Sequence, residues 1–293
     1  MSPRKNARAV ESRRPATRGR TRALGQHFLR DESVARRIVE LVRPGPRDLV
    51  VEIGPGRGAL TASLAGAAGR LLAFEVDPAL AASLRERFAA APRVEIRDAD
   101  ARSLDYAILP AARPDPAGRV LVAGNLPYSV AKPILMALVE SGPAIDEMTL
   151  MLQKEVAERL AAAPGSKVYG SLSVLTQVAC DVSLAFRVPP GAFSPPPQVD
   201  SAVVHLRVRS APPVPIADRA RFNAVVRAAF SQRRKNLPNA LAAGLGLALE
   251  RARTLVAAAG IDPGRRAETL SLAEFASLAA TRPGSFFGPD QRG

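Results

Sequence analysis

The stretch Val50-Val51-Glu52-Ile53-Gly54-Pro55-Gly56-Arg57-Gly58 decides the fold of this chain. It indicates the end of a buried strand, a glycine-rich turn and the start of a helix. Glycines let a backbone turn tightly and approach a ligand closely. Glu75 ends the next predicted strand, 21 residues after Gly54, where an acid accepts hydrogen bonds from ribose hydroxyls. The pattern predicts a nucleotide-binding α/β fold, and it is shared by NAD, FAD and S-adenosylmethionine sites.

Strands and helices alternate around this stretch, which indicates a parallel sheet. Asp31 is placed to cap a first helix with an apolar face. The predicted strands are Leu49–Ile53, Leu71–Val76, Val94–Ile96, Val120–Ala123 and Met148–Leu152, and the predicted helices between them are 59–68, 78–90 and 131–140. Val182–Val188 and Ala202–Val208 have no helix between them, so we expect a hairpin-like pair at the sheet edge.

The last part of the chain contains only helical patterns. They follow a proline-rich linker, 211–215, and the predicted helices are 218–231, 236–246, 250–259 and 271–280. We therefore predict three parts: a disordered basic arm at 1–22, a Rossmann-like domain at 23–210, and a small all-helical RNA-binding domain at 211–293.

Positive charge is concentrated at the two ends of the chain. The formal net charge is +14; residues 1–22 carry eight Arg or Lys and one acid, and residues 211–293 carry twelve and six. This distribution favours a polyanionic partner such as RNA, held outside the reaction site. Arg far outnumbers Lys, so genomic composition is the alternative explanation for part of the charge.

Residues 1–22 contain too few large apolar side chains to form a core, which favours a disordered arm over a transit peptide. No segment approaches the ~18 to 20 apolar residues of a membrane span, and none resembles a signal peptide. We therefore expect a cytoplasmic protein without membrane partners. The single cysteine, Cys180, lies beside an apolar run and is predicted to be a core residue.

A second informative stretch is Gly124-Asn125-Leu126-Pro127-Tyr128, which follows the predicted strand Val120–Ala123. Open α/β sheets bind ligands at the carboxyl ends of their strands. The side chain of Asn125 and a backbone carbonyl can accept hydrogen bonds from an exocyclic amino group, Pro127 stiffens the turn, and Tyr128 offers a face to a flipped-out base. Hydride transfer requires none of these groups, so the stretch argues against a dehydrogenase.

Asp100 lies after the third predicted strand, where its carboxylate could accept a hydrogen bond from an adenine amino group. Nearby Asp98 is expected to cap a helix rather than to bind a ligand. His205 belongs to the alternating pattern of the predicted strand Ala202–Val208 and is expected to be structural.

Seven segments in order resemble the ribosomal RNA adenine dimethyltransferases, and the closest resemblance is to the small-subunit type. They are Gln26–Leu29, Glu52–Gly58, Glu75, Asp100, Gly124–Tyr128, Phe193–Ser201 and Ala229–Lys235. The resemblance covers roughly residues 22–280.

The resemblance implies a class I, Rossmann-like methyltransferase fold that uses S-adenosylmethionine, releases S-adenosylhomocysteine and needs no metal. The residues implied to contact the cofactor are His27, Leu29, Gly54, Gly56, Glu75, Asp100 and Asn125. Tyr128 and Phe193 are implied to sandwich the target adenine, next to Asn125, Leu126 and Pro127. The implied product is N6,N6-dimethyladenosine at two adjacent adenines in a hairpin loop near the 3′ end of 16S rRNA, made by a monomer on the small subunit or its precursor.

Arg233, Arg234 and Lys235 follow an apolar helical run and are predicted phosphate ligands; a solvated helix end is the alternative. Three other functions stay open at this stage. One is methylation of 23S rRNA, as in the macrolide-resistance enzymes, which tend to carry Ile in place of Leu126. The second is a non-catalytic role in ribosome assembly, and the third is a dehydrogenase. Mitochondrial transcription-factor relatives share the fold.

Overall fold

The computed structural model describes residues 26–281. The predicted disordered arm, 1–22, and the last twelve residues of the predicted helical domain lie outside this range. The described strands are β1 (Phe28–Leu29), β2 (Leu49–Ile53), β3 (Arg70–Glu75), β4 (Val94–Asp98), β5 (Val120–Asn125), β6 (Glu147–Gln153), β7 (Cys180–Val188), β8 (Phe193–Ser194) and β9 (Ser201–Val208).

The described helices are α1 (Glu32–Val42), α2 (Ala59–Ala65), α3 (Pro78–Arg87), α4 (Ala131–Glu140), α5 (Lys154–Leu160), α6 (Ser171–Gln177), α7 (Arg219–Ala229), α8 (Leu237–Leu245), α9 (Leu249–Ala258) and α10 (Leu272–Ala280). As predicted, Asp31 caps α1, where its Oδ1 accepts from the backbone N–H of Ser33 at 2.9 Å. None of the described helices is long and apolar enough to cross a bilayer.

Seven strands form one mixed sheet in the order β4-β3-β2-β5-β6-β9-β7. The pairs from β4 to β6 are parallel, whereas β9 runs antiparallel to both β6 and β7. The predicted hairpin-like pair at the edge is confirmed. β2 lies between β3 and β5, so the chain order changes direction there, and such a position is where open sheets bind ligands.

The strands of the sheet centre are buried on both faces because helices cover each side. Val50 of β2 packs against Ile38 of α1, and its neighbour Val51 packs on the opposite face with Leu135 of α4. This explains why β2 has a continuous apolar pattern rather than an alternating one. Cys180 is also buried, and burial raises the pKa of its thiol to about 12.

A second apolar core holds the carboxyl-terminal helices together, and it also contains residues from before the last sheet strands. Val174 and Leu175 of α6 pack in the same cluster as Phe222 of α7 and Phe275 of α10. The Tyr169 hydroxyl, just before α6, donates to the carbonyl of Leu270 at 3.1 Å. The domain boundary at 210/211 stays a prediction. The helical core also contains side chains from residues 162–178, which precede that boundary.

Candidate functional site

A pocket opens where β2, β3 and β5 end, at the carboxyl edge of the sheet. The residues that line it include most of the predicted site: Gln26, His27, Phe28, Ile53, Gly54, Gly56, Phe74, Glu75, Val76, Ala99, Asp100, Ala101, Arg102, Asn125, Leu126, Pro127, Tyr128, Val130 and Ile134. The two stretches that sequence analysis singled out therefore meet in one place.

The glycine loop after β2 needs its glycines for shape. Gly54 and Gly56 have φ angles of 68° and 57°, in the left-handed region that favours glycine. A Cβ atom on Gly56 would lie 2.8 Å from Cδ1 of Phe28, so a side chain there would displace that ring. The loop thus keeps its backbone accessible at the pocket wall.

Glu75 closes the loop from the end of β3. Its side chain is buried; Oε2 accepts from the N–H of Gly56 at 2.9 Å, and Oε1 accepts from the N–H of Asp77 at 3.0 Å. Burial raises the pKa of this carboxyl, and the two backbone donors oppose that rise. Each oxygen keeps a second lone pair, so the carboxylate is fixed in place and can still accept from a hydroxyl.

The side-chain amide of Asn125 has a fixed orientation. Its Nδ2 donates to the backbone carbonyl of His27 at 2.9 Å. A carbonyl can only accept, so the amide nitrogen must face it and Oδ1 is left for another donor. His27 is itself held, because its Nδ1 lies 2.8 Å from the carbonyl of Pro195 and must donate. The backbone of His27 therefore fixes the side chain of Asn125.

The ring of Tyr128 lies beside the ring of His27. The two ring centroids are 5.5 Å apart, and the rings are tilted by 39°. The Tyr128 hydroxyl lies 2.5 Å from the hydroxyl of Ser201, at the start of β9. Tyr128 is half-buried, and burial raises the pKa of its phenol. The ring is anchored and still borders the pocket, as a stacking surface requires.

Phe193 is not among the residues that line this pocket, and its role beside the target adenine stays a prediction. Its side chain is only 2% exposed and packs in the core with Leu29 and Val203. Residue 193 pairs with Leu29 across β1 and β8, which holds the ring inside. Leu29 borders a smaller adjoining cavity, together with Gly54 and Asn125.

Asp100 lies at the pocket wall, as predicted, but its carboxylate is bound by Arg102. The guanidinium donates to both oxygens at 2.5 to 3.0 Å, and this contact holds the pKa of Asp100 below its usual range. A ligand amino group would therefore share Asp100 with Arg102. The expectation for Asp98 is wrong: it ends β4, and the helix cap is Asp105, which precedes the 3-10 turn Tyr106–Ala112.

Glu52 is a site residue that sequence analysis quoted without giving it a role. It borders the smaller cavity, is 2% exposed, and its Oε2 has no hydrogen-bond partner among the described residues. Burial raises its pKa to about 8, and the nearby carboxylate of Glu75 adds to the rise. The signal that marks it is a lone acid inside the apolar strand β2.

We expect Glu52→Gln to change the pH dependence of stability. The folded protein holds the Glu52 carboxyl with a pKa of about 8, against an ordinary value of 4.5. Its contribution to stability is therefore fully present below pH 4.5 and is lost as the pH rises through about 8. Denaturant unfolding at pH 5 and pH 9 should show wild type losing more stability than the variant, by a difference on the order of 4 kcal/mol. Parallel losses in the two proteins would contradict this assignment.

The three predicted phosphate ligands lie in the loop between α7 and α8, and all are exposed. Arg233 differs from the other two, because its guanidinium donates to the carbonyl of Lys167 at 2.7 Å and lies 4.0 Å from a carboxylate oxygen of Glu268. Arg233 thus ties the loop to its surroundings, and phosphate binding by all three stays a prediction. Across residues 26–281, no His, Cys, Asp and Glu side chains are grouped to hold a metal ion.

The profile of one family, described as ribosomal RNA adenine dimethylase, matches residues 18–281. Two relatives are both named ribosomal RNA small subunit methyltransferase A. The one from Geobacter metallireducens is 46% identical over 88% of this chain and 94% of its own length. The one from Chromohalobacter salexigens is 44% identical over 94% of this chain and 96% of its own.

Two solved structures resemble the whole fold. The 23S rRNA methyltransferase ErmE has a TM-score of 0.64 and 28% identity, and the match covers 86% of this chain and 98% of ErmE. A dimethyladenosine transferase from Plasmodium falciparum has a TM-score of 0.69 and 22% identity, with 86% and 96% covered. The second likeness concerns the fold alone.

Proposed function

Because this chain belongs to the ribosomal RNA adenine dimethylase family, we propose that it dimethylates N6 of two adjacent adenines in a hairpin loop near the 3′ end of 16S rRNA. It is an S-adenosylmethionine-dependent rRNA adenine dimethyltransferase of the small-subunit type. The 23S alternative is less well supported, since ErmE is 28% identical whereas the small-subunit relatives are 44 to 46% identical.

The observation that carries the proposal is the fixed amide of Asn125 beside the glycine loop. We propose that S-adenosylmethionine binds along this loop, with its ribose at Glu75 and its adenine at Asp100, and that it supplies an activated methyl group. The buried carboxylate and the close backbone at Gly56 fit such a ligand. His27, Leu29 and Gly54 would complete the contacts.

The chain's own residues then have one main task, which is to position the target amine. The N6 lone pair of adenine is delocalised into the ring, so the amine is a poor nucleophile. Hydrogen bonds from N6–H to Oδ1 of Asn125 and to the carbonyl of Leu126 would favour a more tetrahedral nitrogen. Positioning of this kind contributes at most ~7 to 11 kcal/mol. Pro127 stiffens the turn, and no residue is assigned as a general base because the proton can leave after transfer.

The second methylation makes different demands on the same groups. After one transfer the nitrogen keeps a single N–H, so it can donate to only one of the two acceptors. The pocket must also hold the first methyl. The second step therefore depends more on the stacking surface of Tyr128 than the first step does.

We expect replacement of Arg234 and Lys235 by Gln to weaken binding to small subunits and to flatten its salt dependence. Each phosphate contact contributes about 0.7 to 0.9 to the slope of log K against log salt. Both side chains are exposed, whereas Arg233 also has a structural contact and is left intact.

A control removes two other exposed charges, Arg227 and Arg253, which pair with Glu140 and Glu250. Binding measured by filter retention from about 50 to 300 mM salt should give a smaller slope for the loop variant only. Equal slopes in both variants would show that the loop does not contact the RNA phosphates.

The function is tested by transfer of labelled methyl groups to under-methylated small subunits, with isolated large subunits in parallel, followed by mapping of the modified bases. We expect dimethylation of two neighbouring adenines in the small subunit. Label on the large subunit would favour the 23S alternative, and binding without transfer would favour an assembly factor. A monomeric state and a cytoplasmic location stay predictions.

A further inference from the structure

We propose that Ser201 is a positioning residue that fixes the ring of Tyr128 in the plane on which the target adenine stacks. The inference rests on the proposed function and adds to it a residue to which sequence analysis gave no role. It depends on two features: the contact between the hydroxyls of Ser201 and Tyr128, and the immobility of Ser201.

The contact joins two parts of the sheet edge that are not neighbours. Tyr128 lies in the turn after β5, and Ser201 begins β9, with β6 between those strands. The turn is held against β6, because the N–H of Leu126 donates to the carbonyl of Met151 at 3.1 Å. The phenol then reaches across the end of β6 and shares a hydrogen bond of 2.5 Å with the Ser201 hydroxyl.

Ser201 is a fixed partner. It is fully buried, and its backbone is paired on both sides, with Gln153 of β6 and Val188 of β7. The residue before it, Asp200, accepts from the N–H of Lys154 at 3.0 Å. A buried hydroxyl without a partner is unfavourable, so the phenol and the serine each satisfy the other.

The ring of Tyr128 is therefore held at its hydroxyl end and flanked by His27, whose Nδ1 is anchored on Pro195. Without the hydroxyl contact the ring would be free to tilt about its side-chain torsions. Small errors in the placement of a reacting group have large effects on rate.

The test compares Ser201→Ala, Tyr128→Phe and the double variant in the full chain, with under-methylated small subunits as substrate. Both single variants should lower kcat by about 5- to 10-fold, in line with the loss of one hydrogen bond. The double variant should be no slower than either single variant, because both remove the same contact. The Kd for S-adenosylmethionine should stay within about twofold of the wild-type value. Ser201→Thr, which keeps the hydroxyl, should have the wild-type kcat.

Ser183→Ala is a matched control. Ser183 is exposed in β7, and its hydroxyl donates to the carbonyl of His205 at 3.3 Å, so this variant removes a serine hydrogen bond on the same strand pair. It should keep the wild-type kcat.

The proposal is overturned if the two single effects multiply in the double variant. It is also overturned if Ser201→Ala lowers only the melting temperature. Should Ser201→Ala fail to fold, Tyr128→Phe leaves β9 intact, and a wild-type kcat in that variant overturns the proposal. Failure of wild type itself to methylate small subunits would instead refute the proposed function.

Discussion

Asn125→Ala should reduce the single-turnover rate of methyl transfer by about 100- to 1,000-fold, the range expected when one preorganised hydrogen-bonding group is removed from a reaction site. The variant loses the acceptor aimed at the target amine. It also leaves the carbonyl of His27 without the donor that now lies 2.9 Å away. The rate should be measured with saturating S-adenosylmethionine, so that a weaker cofactor contact does not contribute.

Asn125→Asp separates the two roles of this side chain. It keeps an acceptor oxygen but cannot donate to His27, so its rate should lie between those of wild type and Asn125→Ala. Calorimetric titration should show a smaller loss of cofactor affinity than of rate for Asn125→Ala. A rate above one tenth of wild type in that variant would refute the positioning role.

Tyr128→Ala should lower kcat/KM for small subunits by about 5- to 150-fold, because base stacking on an aromatic ring contributes ~1 to 3 kcal/mol. Cofactor affinity should survive, since the cofactor contacts proposed here involve other residues. The control is Tyr128→Phe, which keeps the ring and loses only the contact with Ser201. If the alanine variant methylated small subunits as fast as wild type, Tyr128 would be a turn residue and not a stacking surface.

The sheet was predictable because its signals are local. The apolar strands β2, β3, β5 and β6 alternate with helical segments. Site residues lie at the carboxyl ends of β2, β3 and β5, so parallel pairing alone brings Glu75 near Asn125. The cap at Asp31 is also local, since it depends on the next three residues.

The features that the sequence did not predict depend on side-chain geometry or on contacts between distant parts of the chain. Phe193 belongs to a motif that the resemblance places at the site, and its burial beside Leu29, 164 residues away, cannot be read from that motif alone. Arg102 binds Asp100 through side-chain geometry that no residue spacing reveals. Helix α6 was missed because its pattern is short and its partners, such as Phe222, lie on a later helix.

Helix α6 precedes the last strands of the sheet but packs in the helical core, so it joins the sheet to the carboxyl-terminal helices. A cut near residue 210 would strip Val174 and Leu175 of their partners, and we expect neither fragment to persist in solution as an independent module. The loop with Arg234 and Lys235 then lies at a fixed distance from Asn125. If this loop binds phosphates, only an RNA hairpin of matching length can reach the loop and the pocket at the same time.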